Sequence, residues 1–141
     1  MNASPVQGPP SGPGDVAPDL VFGPVTRTTL ALYAGASGDH NPIHIDSDYA
    51  RAAGLPDVLA HGMLSFGVLA RAVSQWAGAG QLRAFGVRFL SITQVHDTIT
   101  CTAVVSEAFV EDGEPRLRLR VSARAQDGRE TLAGEAVIAR P

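Results

Sequence analysis

Along the chain, the spacing of apolar residues changes from helical to alternating near residue 80. Leu20–Val25 reads as a short strand or extended lead-in. Thr26 or Thr28 can cap a helix that runs through Leu30, Leu32, Tyr33 and Ala36 and stops at Gly38. Ser37–Ile45 contains Asn41-Pro42, and Pro42 disfavours helix at Asn41, so a turn is expected. A second short helix starts at Asp46 or Ser47 and ends at Gly54, with Tyr49, Ala50 and Ala53 facing inward. Leu59 to Trp76 is the most apolar stretch. Leu64, Val68 and Ala72 form one helical row, and Phe66, Leu69, Val73 and Trp76 another. A helix apolar around most of its circumference is buried on most sides, and Gly78 and Gly80 end it. Beyond it the period becomes two. Leu82–Ile92 is one run. Ile99, Cys101 and Ala103 alternate with threonines. Leu117, Leu119, Val121 and Ala123 alternate with Arg116, Arg118, Arg120, Ser122 and Arg124. Asp112-Gly113 and Asp127-Gly128 are hairpin turns, and Leu132–Arg140 is a final strand. An antiparallel sheet around one long apolar helix, of α+β class, satisfies this order.

Composition narrows the picture. With 141 residues, 45% hydrophobic and 18% charged, the chain suits one globular domain. Five of its prolines fall in the first 18 residues together with Gly8, Gly12 and Gly14, and large apolar residues are nearly absent there. Residues 1–18 are therefore expected to be a flexible tail, with the folded domain over 19–141. The one cysteine excludes an internal disulfide and a cysteine zinc site. No apolar run reaches the roughly 18 residues of a membrane span, so no membrane partner is expected and cytoplasm is the default compartment. A net charge of −3 argues against a nucleic-acid partner. All 11 basic residues are arginine, and no basic run concentrates them.

The chemistry concentrates in Ser37-Gly38-Asp39-His40-Asn41-Pro42-Ile43-His44 and in Ala60-His61-Gly62-Met63-Leu64. Asp39 and His44 share one turn-forming loop, where Asn41-Pro42 bends the chain so that both side chains can converge. A carboxylate and an imidazole at one point orient and deprotonate a water. Gly62 opens the buried helix, whose first N–H groups are unpaired and carry partial positive charge. Glycine there admits the close approach of a ligand oxygen, which makes an oxyanion site. Water activation beside an oxyanion site suits addition to, or elimination from, a carbonyl-activated double bond.

These two segments resemble the MaoC-like (R)-specific enoyl-thioester hydratases and dehydratases, most strongly from Tyr33 to Leu69. The resemblance implies a hot-dog fold and a dimer whose sheets join edge to edge, with active sites near the interface. It implies that Asp39 and His44 hold and activate water, that the Gly62 N–H polarises the thioester carbonyl, and that Asn41 braces the loop. The implied reaction is syn hydration of a trans-2-enoyl thioester of CoA or acyl-carrier protein to the (R)-3-hydroxyacyl thioester, or its reverse, in fatty-acid or polyketide metabolism. No cofactor is implied. A homodimer is expected, with a heterodimer as the alternative.

Other readings compete residue by residue. His40 takes the variable motif position as a loop residue, and His96 beside Asp97 reads as a surface turn. His61 lines the pocket or orients the Gly62 turn. Ser65 packs in the helix within reach of substrate, and its spacing to Gly62 and Gly67 misses a G-x-S-x-G nucleophile turn by one residue. His40 and His44 have the i,i+4 spacing of metal ligands, but Pro42 between them removes the helix that spacing needs. Cys101 belongs to the core. Arg116, Arg118, Arg120 and Arg124 form a solvated face, and with Arg83 and Arg88 they are open candidates for a carrier phosphate. A hot-dog thioesterase and a non-catalytic dimer partner are the rival functions; the intact Asp39…His44 motif speaks against both.

Overall fold

The computed structural model describes Pro5 and residues 8–141. Strand β1 is Leu20–Phe22, helix α1 Arg27–Ser37, a 3-10 turn Pro42–His44, helix α2 Ser47–Ala52 and helix α3 Gly62–Ala77. Strands β2 (Leu82–Phe89), β3 (Ile99–Glu111), β4 (Glu114–Ala125) and β5 (Glu130–Ala139) follow. The five strands form one antiparallel sheet in the order β1-β3-β4-β5-β2, curled around α3 in the hot-dog arrangement.

The alternating pattern sets the two faces of the sheet. Register aligns Cys101 with Ala123, Leu119 with Ala136 and Leu117 with Ile138, and all six are fully buried on the helix side. Val68, Leu69, Ala72, Val73 and Trp76 of α3 press onto that face. The intervening arginines face outward and are ion-paired along and across strands: Arg118 with Glu107, Arg124 with Glu130, Arg83 and Arg116 with Glu114. Asp112-Gly113 makes the β3–β4 turn with both residues at positive φ, 52° and 75°. That is the backbone twist an Asp-Gly hairpin turn requires. Among the described residues no helix is long and apolar enough to cross a membrane.

The structure corrects three expectations. First, ordered contacts begin before residue 19. Residues 14–17 lie along β3, with Gly14 N–H donating to Val105 O at 2.8 Å and Ala17 N–H to Ala103 O at 2.9 Å. Val105 N–H donates to Asp15 O at 2.9 Å, Ala17 is buried in the core, and the Trp76 indole N–H donates to Gly8 O at 3.0 Å. Backbone pairing holds this Pro/Gly-rich strap without large apolar side chains. The remainder of the expected tail, residues 1–4, 6 and 7, lies outside the described residues. Second, Tyr49 faces outward at 49% exposure, because α2 has only 6 residues and buries one side chain, Ala50. Third, the opening strand ends at Phe22 and the strand after α3 at Phe89, leaving Leu90 and Ile92 exposed beyond it.

A second small core of Val25, Leu30, Ala50, Val58 and Ala60 seats α1 and α2 beside the start of α3. Asp57 ties these pieces together. Its carboxylate accepts from Arg27 of α1, from Ser47 Oγ of α2 at 3.0 Å and from the Val58 N–H at 2.7 Å, with Arg51 3.6 Å away. The hydrogen bonds from Arg27 and Val58 hold the Asp57 carboxyl well below the usual carboxylate range. A carboxylate depressed in the folded state stabilises above its unfolded pKa near 3.8, and that contribution is lost as pH falls below it. Asp57→Asn should therefore lower the melting temperature at pH 7, and the gap to the unsubstituted protein should narrow at pH 3. Thermal melts at the two pH values check both statements.

Candidate active site

The loop between α1 and α2 is shaped by its own side chains. Gly38 ends α1 at φ 77°, a left-handed cap that a β-carbon would strain. Ser37 Oγ accepts from the Asp39 N–H at 3.2 Å, and Asp39 Oδ1 accepts from the Asn41 N–H at 3.3 Å. Asn41 Oδ1 accepts from the Ile43 N–H at 3.1 Å and so caps the 3-10 turn that carries His44. Asn41 itself is exposed.

His44 and Asp39 face one another from opposite ends of this turn. His44 Nδ1 lies 2.7 Å from the Leu59 carbonyl oxygen. A carbonyl only accepts, so Nδ1 bears the proton and Nε2 carries the lone pair in the neutral ring. That Nε2 lies 3.8 Å from Asp39 Oδ2. The distance exceeds a direct hydrogen bond and matches two acceptors sharing one small polar molecule. The His44 side chain is 11% exposed and that of Asp39 52%, so one member of the pair is dry and the other wet.

His61, at 2% exposure, lies behind this pair. Its Nε2–H donates to the Asp39 carbonyl oxygen at 3.1 Å. Its ring stacks on His44 with centroids 3.8 Å apart and a 23° tilt, and meets Tyr33 edge to face at 4.7 Å. Burial pushes the His61 pKa down; the bond to Asp39 O opposes that, and the nearby His44 adds to it.

Gly62 follows immediately as the first residue of α3. No side chain caps this end, and first-turn N–H groups have no partner within the helix. A β-carbon on Gly62 would sit 2.7 Å from Phe89 Cε1 and 2.9 Å from Cδ1, so the Phe89 ring rests on this glycine. Gly62, Ser65, Phe89, Leu59, Ile92 and Leu132 line a cavity of about 380 Å³, apolar but for a few hydroxyls. Ser65 is 3% exposed, one turn along α3 from Gly62.

The fold thus brings Asp39, His44, His61 and the Gly62 helix start together. Ser65 lines the adjoining cavity, and Asn41 caps the 3-10 turn. His40 is an exposed loop residue, His96 an exposed turn at φ 75°, and Cys101 fully buried in the core. Nitrogens of His44 and His61 and an Asp39 oxygen lie within 4.8 Å of one another, the spacing of a metal site. Imidazole lone pairs lie in the ring planes, however, and two stacked rings aim them side by side, which disfavours a common tetrahedral ion. Three contributors gave no sequence signal: the Leu59 carbonyl, because backbone groups are silent in sequence; Phe89, because a strand-end aromatic is ordinary; and the His44–His61 stack, because its partners are far apart in the chain.

A family model for the MaoC like domain matches residues 17–125. The (R)-specific enoyl-CoA hydratase of Rhodospirillum rubrum is 28% identical over 119 residues, covering 83% of this chain and 81% of its own. Among solved structures, the R-hydratase PhaJ1 of Pseudomonas aeruginosa superposes with a TM-score of 0.81 at 28% identity, covering 92% of this chain and 81% of that one. The ChsH1-ChsH2 complex of Mycobacterium tuberculosis gives 0.78 at 26% identity, covering 91% and 97%. The chain also matches fungal fatty acid synthase beta subunits at 28–36% identity but spans only 5–6% of their length.

The His61 environment sets a pH dependence. A histidine whose pKa is lowered on folding stabilises above its unfolded value near 6.5, and that contribution is lost as pH falls through it. Titration of the His61 ring followed by NMR should give a midpoint below 6.5; a midpoint at or above that value would contradict the burial.

Proposed function

The chain belongs to the MaoC-like domain family, and from that premise we propose that it adds water to trans-2-enoyl thioesters of CoA or acyl-carrier protein, giving (R)-3-hydroxyacyl thioesters, or catalyses the reverse dehydration. The observation that carries this reading is the 3.8 Å gap between the unprotonated His44 Nε2 and Asp39 Oδ2. One water in that gap donates a hydrogen bond to each acceptor. It sits beside the start of α3, where the Gly62 N–H is available to a thioester carbonyl. Hydrogen bonding there draws electron density from the double bond and makes C3 electrophilic. The held water loses a proton to the Asp39–His44 pair as its oxygen bonds to C3. The resulting enolate, held by Gly62, takes a proton at C2 from the same side. Because the two groups interact closely, they act as one coupled acid–base unit. Asn41 holds the turn, and Ser65 borders the acyl cavity.

The same residues count against acyl hydrolysis, where water must reach the carbonyl carbon rather than C3. A non-catalytic partner role leaves the convergence of Asp39 and His44 unexplained. For assembly we propose a homodimer joined through β2. This strand is the longer of the sheet's two edge strands, and it ends in exposed Phe89 and is followed by exposed Leu90 and Ile92, at 56%, 51% and 46%. A long free edge is a template for pairing with a second strand. A divergent partner chain on the same edge is the alternative. We propose a cytoplasmic setting, in keeping with a sequence whose one cysteine makes no internal disulfide.

Mixing the protein with crotonyl-CoA should bleach the enoyl absorbance without releasing free thiol. Release of thiol would identify a thioesterase. No change with short, long or carrier-bound enoyl chains would leave a binding subunit. Asp39→Asn and His44→Ala should each lower kcat by roughly 10²–10⁴-fold, with thermal unfolding little changed in Asp39→Asn, and near-normal turnover in either would remove the proposed pair. Light scattering of the purified protein should give twice the 14.7 kDa chain mass; a monomer would sink the β2 pairing.

A further inference from the structure

We propose that His61 is a positioning residue that fixes both members of the acid–base pair at once, through its Nε2–H on the Asp39 backbone and its ring face against His44. The kinetic consequence rests on the hydratase reading; the structural one rests on geometry alone.

His61 makes little sense as a purely structural residue. It occupies the N-cap of α3 yet makes no side-chain cap bond, where serine, threonine or aspartate would. Its Nδ1 is buried and has no hydrogen-bond partner among the described residues. A buried unpaired acceptor is destabilising, and such atoms cluster at functional sites. Phenylalanine would fill the slot between Tyr33 and His44 without that cost.

What phenylalanine lacks is the donor. The 3.1 Å bond from His61 Nε2–H anchors the Asp39 carbonyl, and with it the backbone from which the carboxylate projects. Glutamine supplies a donor at similar reach but no ring. Histidine does both. The ring matters because the bond from His44 Nδ1 to Leu59 O fixes only one axis of His44. Rotation about that axis would swing Nε2 away from Asp39. A ring stacked 3.8 Å away with a 23° tilt blocks it. Burial also keeps His61 neutral, so no second cation forms against His44 when His44 takes up a proton.

Two variants separate the roles. His61→Phe keeps the ring and removes the donor; His61→Gln keeps a donor and removes the ring. Each is compared with the unsubstituted protein by kcat and KM on crotonyl-CoA and by NMR of the His44 ring, read as ring-proton NOEs to its neighbours. In the unsubstituted protein the His44 ring should hold one orientation, with a single set of such NOEs. His61→Gln should lower kcat roughly 10–100-fold with KM within about twofold, the signature of misplaced groups rather than lost binding. Its His44 ring should sample more than one orientation, with averaged NOEs. His61→Phe should retain the single orientation and recover part of the lost kcat. It conserves volume and so still decides the matter if the glutamine variant does not fold. Folded variants with kcat within twofold of normal, or with the loss wholly in KM, would overturn the proposal. If the unsubstituted protein hydrates no enoyl thioester, the hydratase reading falls by itself. The His44 spectrum then decides: averaging in His61→Gln upholds the clamp, and an unchanged spectrum in both variants rejects it.

Discussion

A 16-residue helix that is apolar around most of its circumference cannot stay at a protein surface. Helix α3 must be enclosed, and the architecture follows from that need. Four long strands cover one side of it, and the strap of residues 8–18, together with the small core around Leu30 and Val58, covers much of the rest. Enclosure also fixes where the helix begins. Its unpaired N–H groups are thereby placed at the edge of the cavity that Gly62 and Ser65 line.

The acid–base pair is held by a different kind of force. Little apolar surface is available between Gly38 and Ile45, so short-range polar contacts set this loop: Ser37 on Asp39, Asp39 on Asn41, Asn41 on Ile43. The larger frame is electrostatic, with Asp57 linking α1, α2 and the approach to α3. Geometry at the site is thus borrowed from two sources, a rigid core that aims Gly62 and a polar mesh that aims Asp39 and His44. His61 belongs to both, since it caps the helix position-wise and bonds the loop.

Much of this was readable from residues alone. The alternation of leucines and arginines in β4 announced a sheet with one wet face, and the Asp-Gly pairs located its turns, because both signals are local. The Ser37–His44 motif, the Asn-Pro bend and Gly62 at the helix start likewise located the site. Contacts made by backbone groups were hidden. Nothing in the composition of residues 8–18 distinguishes a strap bonded to β3 from a free tail, because the bonds come from main-chain atoms that every residue has. Tyr49 misled for the opposite reason: its aromatic ring suggested an inward face, while a helix of 6 residues buries one side chain only. The stack of His61 on His44 joins two segments through tertiary packing, which periodicity does not encode.

The strap also ends on a spectroscopic handle. Trp76 is the only tryptophan of the chain, and its indole N–H bonds to the strap at Gly8 O while its ring packs in the core. Its emission therefore reports on the far end of α3 and on strap attachment, while the carboxylate and imidazoles lie around the opposite end. Fluorescence of the unlabelled protein can thus follow detachment of the strap separately from events at the site, with no engineered probe.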